Sequence, residues 1–119
     1  MKRNLDLIRD ICLALESKSD QDIAESLRDK DYTDEEIGFH SYLLGDAGFA
    51  QVADTTTISD LLPQAIPLHL TWKGYEFLES AREDKRWAKA KGAIRKIGGT
   101  SIEVAFDLLK EYAKQELGL

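Results

Sequence analysis

A chain of 119 residues is long enough for one domain with its own hydrophobic core. With 43% hydrophobic and 32% charged residues it is not a disordered polymer, and no apolar run approaches the roughly 20 residues that span a bilayer. A net charge of −6 excludes non-specific attraction of the whole molecule to nucleic acid or anionic membrane, but leaves room for a local basic patch.

Leu5, Ile8, Ile11, Cys12 and Leu15 recur at helical spacing, which predicts an amphipathic first helix over residues 3–17. The opening Met-Lys-Arg-Asn-Leu-Asp-Leu-Ile-Arg lacks the apolar core and cleavage site of a secretory signal, so a cytoplasmic location is expected. Cys12 is the only cysteine. It rules out an intrachain disulfide and is expected to be a buried small hydrophobe. Ser17 to Asp22 is polar and turn-like. Residues 21–30 allow either a short helix around Ala24 and Leu27 or a strand.

Thr33-Asp34-Glu35-Glu36 is a capping box that starts a helix over Asp34 to Gly45. Ile37, His40, Leu43, Leu44 and Ala47 are expected on its inner face. Asp34, Glu35, Gly38, Ser41 and Tyr42 are expected outside, with Gly45 and Gly48 as stop signals. A strand over Phe49 to Val52 follows, then a Thr-rich hairpin tip over residues 53–64. In the next strand, Ile66 to Thr71, Ile66, Leu68 and Leu70 alternate with polar positions and are expected to face inward. Thr71 caps another helix, with Leu70 stapled onto Tyr75 and with Trp72, Tyr75, Phe77 and Leu78 in the core against the first helix. Trp87, Ala90, Ile94 and Ile97 predict a further helix, ended by Gly98-Gly99. Thr100-Ser101-Ile102-Glu103 reads as a capping box for a last one, whose stripe is Ile102, Ala105, Phe106, Leu109, Tyr112 and Ala113.

This order predicts an α+β fold: a winged helix-turn-helix over residues 1–82 with a small β-hairpin wing, and two appended C-terminal helices over 83–119. The C-terminal stripe must fold back on the core or meet a second copy, and a homodimer is the expectation.

Two segments carry a resemblance. The opening and Leu70-Thr71-Trp72-Lys73-Gly74-Tyr75-Glu76-Phe77-Leu78 resemble a family of small bacterial and prophage-encoded proteins of unknown function. Its blocks read M-K-R-D-x-D-L-I-R, Y-x-x-x-E-I-x-x-H-x-x-L-L-x-x-A-G and L-T-W-x-G-x-x-F-L, before a Gly-Gly-x-S tail. Tyr32, Glu36, Ile37, His40, Leu43, Leu44, Ala47 and Gly48 match the middle block; Gly98, Gly99 and Ser101 match the tail. The resemblance implies a winged-helix-like fold, a phage or mobile-element setting, and a strand within residues 21–30. It implies no activity.

No chemistry-bearing constellation stands out. His40 lies in the centre of an apolar face, where a histidine is ordinarily a hydrogen-bonded core residue. His69 has no partner at metal-ligand spacing. Nucleophile elbows and phosphate-binding Gly-rich loops are missing, and Gly98-Gly99 reads as a turn between helices. No enzyme activity and no cofactor are expected.

Charge is the remaining signal. No lysine or arginine stands between Lys30 and Lys73, while seven acids do. From Arg82 to Lys96 seven bases face only Glu83 and Asp84. A DNA reader needs positive charge on its helix and wing. The leading expectation is therefore a protein partner, contacted by Asp34, Glu35, Phe39, Ser41 and Tyr42 and the loop 53–64. The alternative is a DNA-binding regulator in which Arg82, Lys85, Arg86, Lys89, Arg95 and Lys96 meet phosphates, with Ser41, Tyr42 and Thr55–Thr57 near the groove. The bland reading of the basic stretch is a face that complements acids elsewhere in the molecule or in another copy.

Overall fold

A computed structural model describes residues 1–17, 23–99 and 101–118. The class is α+β: six α-helices and a two-stranded antiparallel hairpin among the described residues. The order is α1 (Leu5–Glu16), α2 (Ile23–Ser26) with a 3-10 turn at Arg28–Lys30, α3 (Asp34–Asp46), β1 (Ala50–Asp54), β2 (Ala65–Leu70), α4 (Trp72–Ala81), α5 (Asp84–Lys96) and α6 (Ile102–Glu116).

Helix starts follow local capping chemistry. The Asn4 side chain accepts from the amides of Asp6 and Leu7 at α1, and Thr71 accepts from Gly74 at α4. Thr33 and Glu36 form the full reciprocal box at α3. The cap of α6 is Ser101, which accepts from the Val104 amide, one residue after the expected start. Thr100 lies outside the described residues, as does the expected turn after Ser17. Each such cap contributes about 1 kcal/mol. At the other end of α3, Gly48 takes the positive φ of 83° that closes the helix. Gly45 lies inside α3, where an added Cβ would stand 2.5 Å from Val52 Cγ2, so the glycine makes room for the β1 side chain.

The segment that could have been a strand is helical. Ile23 and Leu27 lie four apart and are both buried, so a short helix covers the core where a charged strand would have left Leu27 and its neighbours alternating. The hairpin also departs from simple alternation. Gln51 pairs with His69 but Val52 pairs with Pro67, so Leu68 is an extra residue on β2. This bulge shifts the phase: Ala65, Pro67 and Leu70 are inward, while Ile66 and Leu68 are exposed.

One core serves the whole chain. Leu7, Ile11, Leu44, Phe49, Phe77, Leu78, Ile94 and Leu109 are all fully buried within it. At its centre Phe49, Phe77, Trp87 and Phe106 meet edge to face, with centroids 5.3 Å apart for Phe49–Phe77, 5.8 Å for Phe49–Phe106 and 6.1 Å for Phe77–Trp87. These rings come from the hairpin base, α4, α5 and α6. The C-terminal stripe is thus covered by its own chain: Ala105, Phe106 and Leu109 are buried, and Ile102 and Tyr112 pack at the margin. The argument for a dimer from an uncovered stripe falls away.

Besides Ile66 and Leu68, three further residues expected inside are outside. Trp72 is 82% exposed, Tyr75 47% and Ile97 72%. Trp72 and Tyr75 stand on the outer side of α4 because Gly74, Phe77, Leu78 and Ala81 form its inner stripe. Gly74 is there for close approach: a Cβ at that position would lie 1.9 Å from the Phe49 carbonyl oxygen.

Candidate functional site

The residues between β1 and β2 form an ordered loop. The Thr55 amide donates to the Gln64 carbonyl at 2.9 Å. The Thr56 amide donates to Asp54 Oδ1 at 2.9 Å, and the Thr56 hydroxyl lies between the Gln64 amide, which donates to it at 3.0 Å, and the Gln64 carbonyl at 3.3 Å. The Thr57 amide donates to Asp60 Oδ2 at 2.8 Å, and the Asp60 amide returns to the Thr57 carbonyl. Bonding to Thr56 holds the Asp54 carboxyl below its ordinary pKa. The loop is tied to α3 as well: Gln64 Nε2 donates to the Glu35 carbonyl at 3.3 Å, and its amide lies against Gly38, where a Cβ would collide.

This loop holds two large aliphatic side chains out in water. Ile58 and Leu61 are 107% and 95% exposed. Ile66 and Leu68 follow on the outer side of β2, and Trp72 and Tyr75 at the start of α4. The acids that accompany them, Asp34, Glu35, Asp54, Asp60, Glu76 and Glu79, are exposed too. Ile58 and Leu61 fall within the loop 53–64 that was expected to meet a partner, although neither was singled out, and Trp72 and Tyr75 were expected in the core. The available signal was an isoleucine and a leucine pair inside an otherwise polar turn.

The expected protein-contact set is split. Asp34 and Glu35 are exposed on the first turn of α3, and Phe39 and Tyr42 are half-buried. Ser41 is fully buried, its hydroxyl donating to the Ile37 carbonyl at 2.7 Å, and cannot touch a partner. It sits one turn after Ile37 and beside Leu44, so the inner face of α3 is wider than the apolar letters suggest.

His40 is a core residue. Its Nδ1 donates to the Glu36 carbonyl at 2.8 Å, and its Nε2 accepts the Asn4 amide at 2.8 Å, which fixes the neutral ring. Burial holds its pKa below the ordinary value. Cys12 is buried, and burial pushes its thiol up to about 12, away from thiolate chemistry. Among the described residues no His, Cys, Asp and Glu cluster could hold a metal ion, and no helix is long and apolar enough to cross a membrane.

The basic stretch is neutralised from within at Arg82, Arg86 and Lys91. Arg82 forms a two-pronged pair with Glu16 of α1, its Nη1 at 2.7 Å from Oε1. Arg86 grips Glu116 of α6 in the same way, with Nε at 3.1 Å, and donates to the Ser80 carbonyl at 2.9 Å. Lys89 lies over the Tyr112 ring at 4.1 Å. Lys91 donates to Asp6 Oδ1 at 2.8 Å, where Trp87 Nε1 also donates. Burial of Asp6 opposes its charge, yet the bonds from Lys91 and Trp87 outweigh it and lower its pKa. Lys85, Arg95 and Lys96 remain exposed. Arg95 lines a groove together with Glu36 of α3, whereas Arg86 and Lys89 are drawn to α6. The basic residues therefore do not form one stripe.

The chain is thus an α+β protein whose central loop is ordered, acidic and apolar-tipped. It belongs to the family described as "Hypothetical protein (DUF2513)", whose profile matches residues 2–101. It is 34% identical over 117 residues to an "Uncharacterized protein" of Haemophilus influenzae strain Rd, covering 96% of this chain and 93% of the relative. No solved structure matches significantly.

Proposed function

We propose that this chain is a non-enzymatic, winged-helix-like interaction protein of phage or mobile-element type, which docks on a partner protein through its hairpin loop. The sequence α1, α2, α3, hairpin supports the winged-helix reading, with α3 in the place of a recognition helix and the loop 55–64 in that of the wing. That helix and wing are acidic and contain no base, which opposes phosphate contact. Thr56 and Thr57 use their polar groups to order the loop, leaving little for a DNA groove.

The observation that carries the reading is the pairing of order and exposure at Ile58 and Leu61. Hydrogen bonds hold the loop, so its apolar tips are presented without a large ordering cost on association. Exposed Ile66, Leu68, Trp72 and Tyr75 follow Ile58 and Leu61 in the chain, and it is this concentration of exposed apolar side chains that supports a contact site here. The partner that fits is a protein surface with an apolar pocket rimmed by Lys or Arg, opposite Asp54, Asp60, Asp34 and Glu35. A DNA-binding regulator is the second reading. Arg95 beside the first turn of α3 favours it; the internal pairing of Arg82, Arg86 and Lys91 weighs against it.

A photo-crosslinking residue placed at Ile58 or Leu61 in cells, with Lys85 as the control position, tests the proposal. The expected result is one protein adduct shared by positions 58 and 61, absent at 85 and lost on adding Asp60→Lys. Adducts of twice the chain mass would assign the loop to self-association. Adducts to nucleic acid, or none that depend on position, would overturn the reading. Duplex titration gives the complementary check: affinity no tighter than roughly 10⁻⁴ to 10⁻⁶ M at physiological salt is expected.

A further inference from the structure

We propose that the groove between the N-terminal segment and α5 binds the oligophosphate part of a small anionic ligand. Its volume is about 470 Å³, within the roughly 300–1,000 Å³ of small-ligand sites. Two segments distant in sequence bring four bases to its walls: Lys2 and Arg3 from before α1, and Lys91 and Arg95, four residues apart on one face of α5. Two acids share the walls: Asp6 is paired with Lys91, which leaves Lys2, Arg3 and Arg95 facing the single charge of Glu36. Asp6 Oδ1 accepts from Trp87 Nε1 and Lys91 Nζ, each at 2.8 Å, and Glu36 Oε1 accepts the Thr33 amide at 3.0 Å.

Lys2, Arg3 and Arg95 have no carboxylate partner among the described residues. Elsewhere Arg9, Lys73, Arg82 and Arg86 are each held by a carboxylate. In a chain of net charge −6 this groove is a local positive surplus. Arginine forks suit the paired oxygens of phosphate. No aromatic side chain lines the groove, so nothing stacks a base, and the phosphate chain itself is the recognised part. A compact anion fits better than a duplex, because Asp34 and Glu35 stand exposed beside Glu36 and would repel an extended backbone.

Calorimetric titration of the intact protein with tripolyphosphate, pyrophosphate and ATP at matched ionic strength tests this, using Arg3→Gln, Arg95→Gln and Lys85→Gln. Lys85 is exposed on the same helix but outside the groove. Saturable one-to-one binding of tripolyphosphate is expected, with ATP equal to it. Each arginine variant should bind about tenfold more weakly, the loss expected for one charge-assisted contact, with Lys85→Gln unchanged. The Gly99 amide, on the groove wall, should shift in an NMR titration in the same order. Unfolding midpoints of the variants show whether the fold is intact. No saturable heat with no Gly99 shift would overturn the proposal. So would an equal loss in Lys85→Gln, which means diffuse attraction, or ATP binding far above tripolyphosphate, which means that the base is recognised.

Discussion

Gly74 offers a sharp test of how α4 is seated on the hairpin. An added Cβ would stand 1.9 Å from the Phe49 carbonyl oxygen, 3.0 Å from its carbon and 3.1 Å from Leu70 Cδ2. The first contact is with backbone, so no side chain can swing aside. To make room the helix must move away by more than 1 Å, and the Phe49 carbonyl also accepts the Thr71 amide at 3.1 Å, which closes the hairpin base. Overpacking of this kind costs about 1–3 kcal/mol, and a weakened hydrogen bond adds about 1 kcal/mol. The better helix propensity of alanine offsets about 1 kcal/mol. Gly74→Ala is therefore expected to destabilise by about 1–3 kcal/mol. Gly92 is the internal control, since it lies mid-helix in α5 with nothing within 4 Å of an added Cβ. Gly92→Ala should stabilise by about 0.5–1 kcal/mol. Urea unfolding should separate the two midpoints by roughly 1–2 M at an m-value near 2 kcal/mol/M. If Gly74→Ala raises the midpoint as Gly92→Ala does, the seating of α4 against Phe49 is wrong.

Leu44 is fully buried, so Leu44→Ala should cost about 2–5 kcal/mol; an unchanged melting midpoint would show the inner face of α3 to be misassigned. His40 is held neutral with a lowered pKa, so the unfolded chain takes up its proton first. Its contribution is fully present above about pH 6.5 and is lost as pH falls from there through the folded-state pKa. His40→Gln should flatten the stability profile between about pH 7 and 5, and an unaltered slope would refute this. Trp72 is exposed and Trp87 buried, so Trp72→Phe should leave blue-shifted fluorescence poorly quenched by acrylamide and change stability by less than about 0.5 kcal/mol.

The helices were legible in the sequence where local chemistry decides them. The Thr33 and Thr71 caps, the α1 periodicity and the α6 stripe each depend on residues within a few positions of one another. The misreadings share one cause, which is information held by distant parts of the chain. Trp72 and Tyr75 look like core residues by type, but the side of α4 that faces inward is set by the approach of Gly74 to Phe49. Ile66 and Leu68 alternate correctly and still face out, because a bulge against β1 shifts the phase. The basic stretch 82–96 read as a possible contact face, and its partners, Glu16, Asp6 and Glu116, lie 66, 85 and 30 positions from Arg82, Lys91 and Arg86. The acidity of α3 and the loop was fully legible. That Ile58 and Leu61 stand on an ordered loop was not, since the bonds from Thr55, Thr56 and Thr57 that hold it close only once the hairpin registers.

The ring cluster of Phe49, Phe77, Trp87 and Phe106 has a consequence for how the protein is made. Its last member lies in α6, beyond residue 101 where the family match ends. A ribosome that has completed the first hundred residues holds a nascent chain with Phe49 and Phe77 still lacking one wall. Such a chain keeps sticky surface open and waits on its final helix, so a stop codon introduced before Phe106 should yield aggregating or degraded product rather than a smaller folded unit. In the finished protein, α6 acts as the keystone for rings laid down much earlier in synthesis.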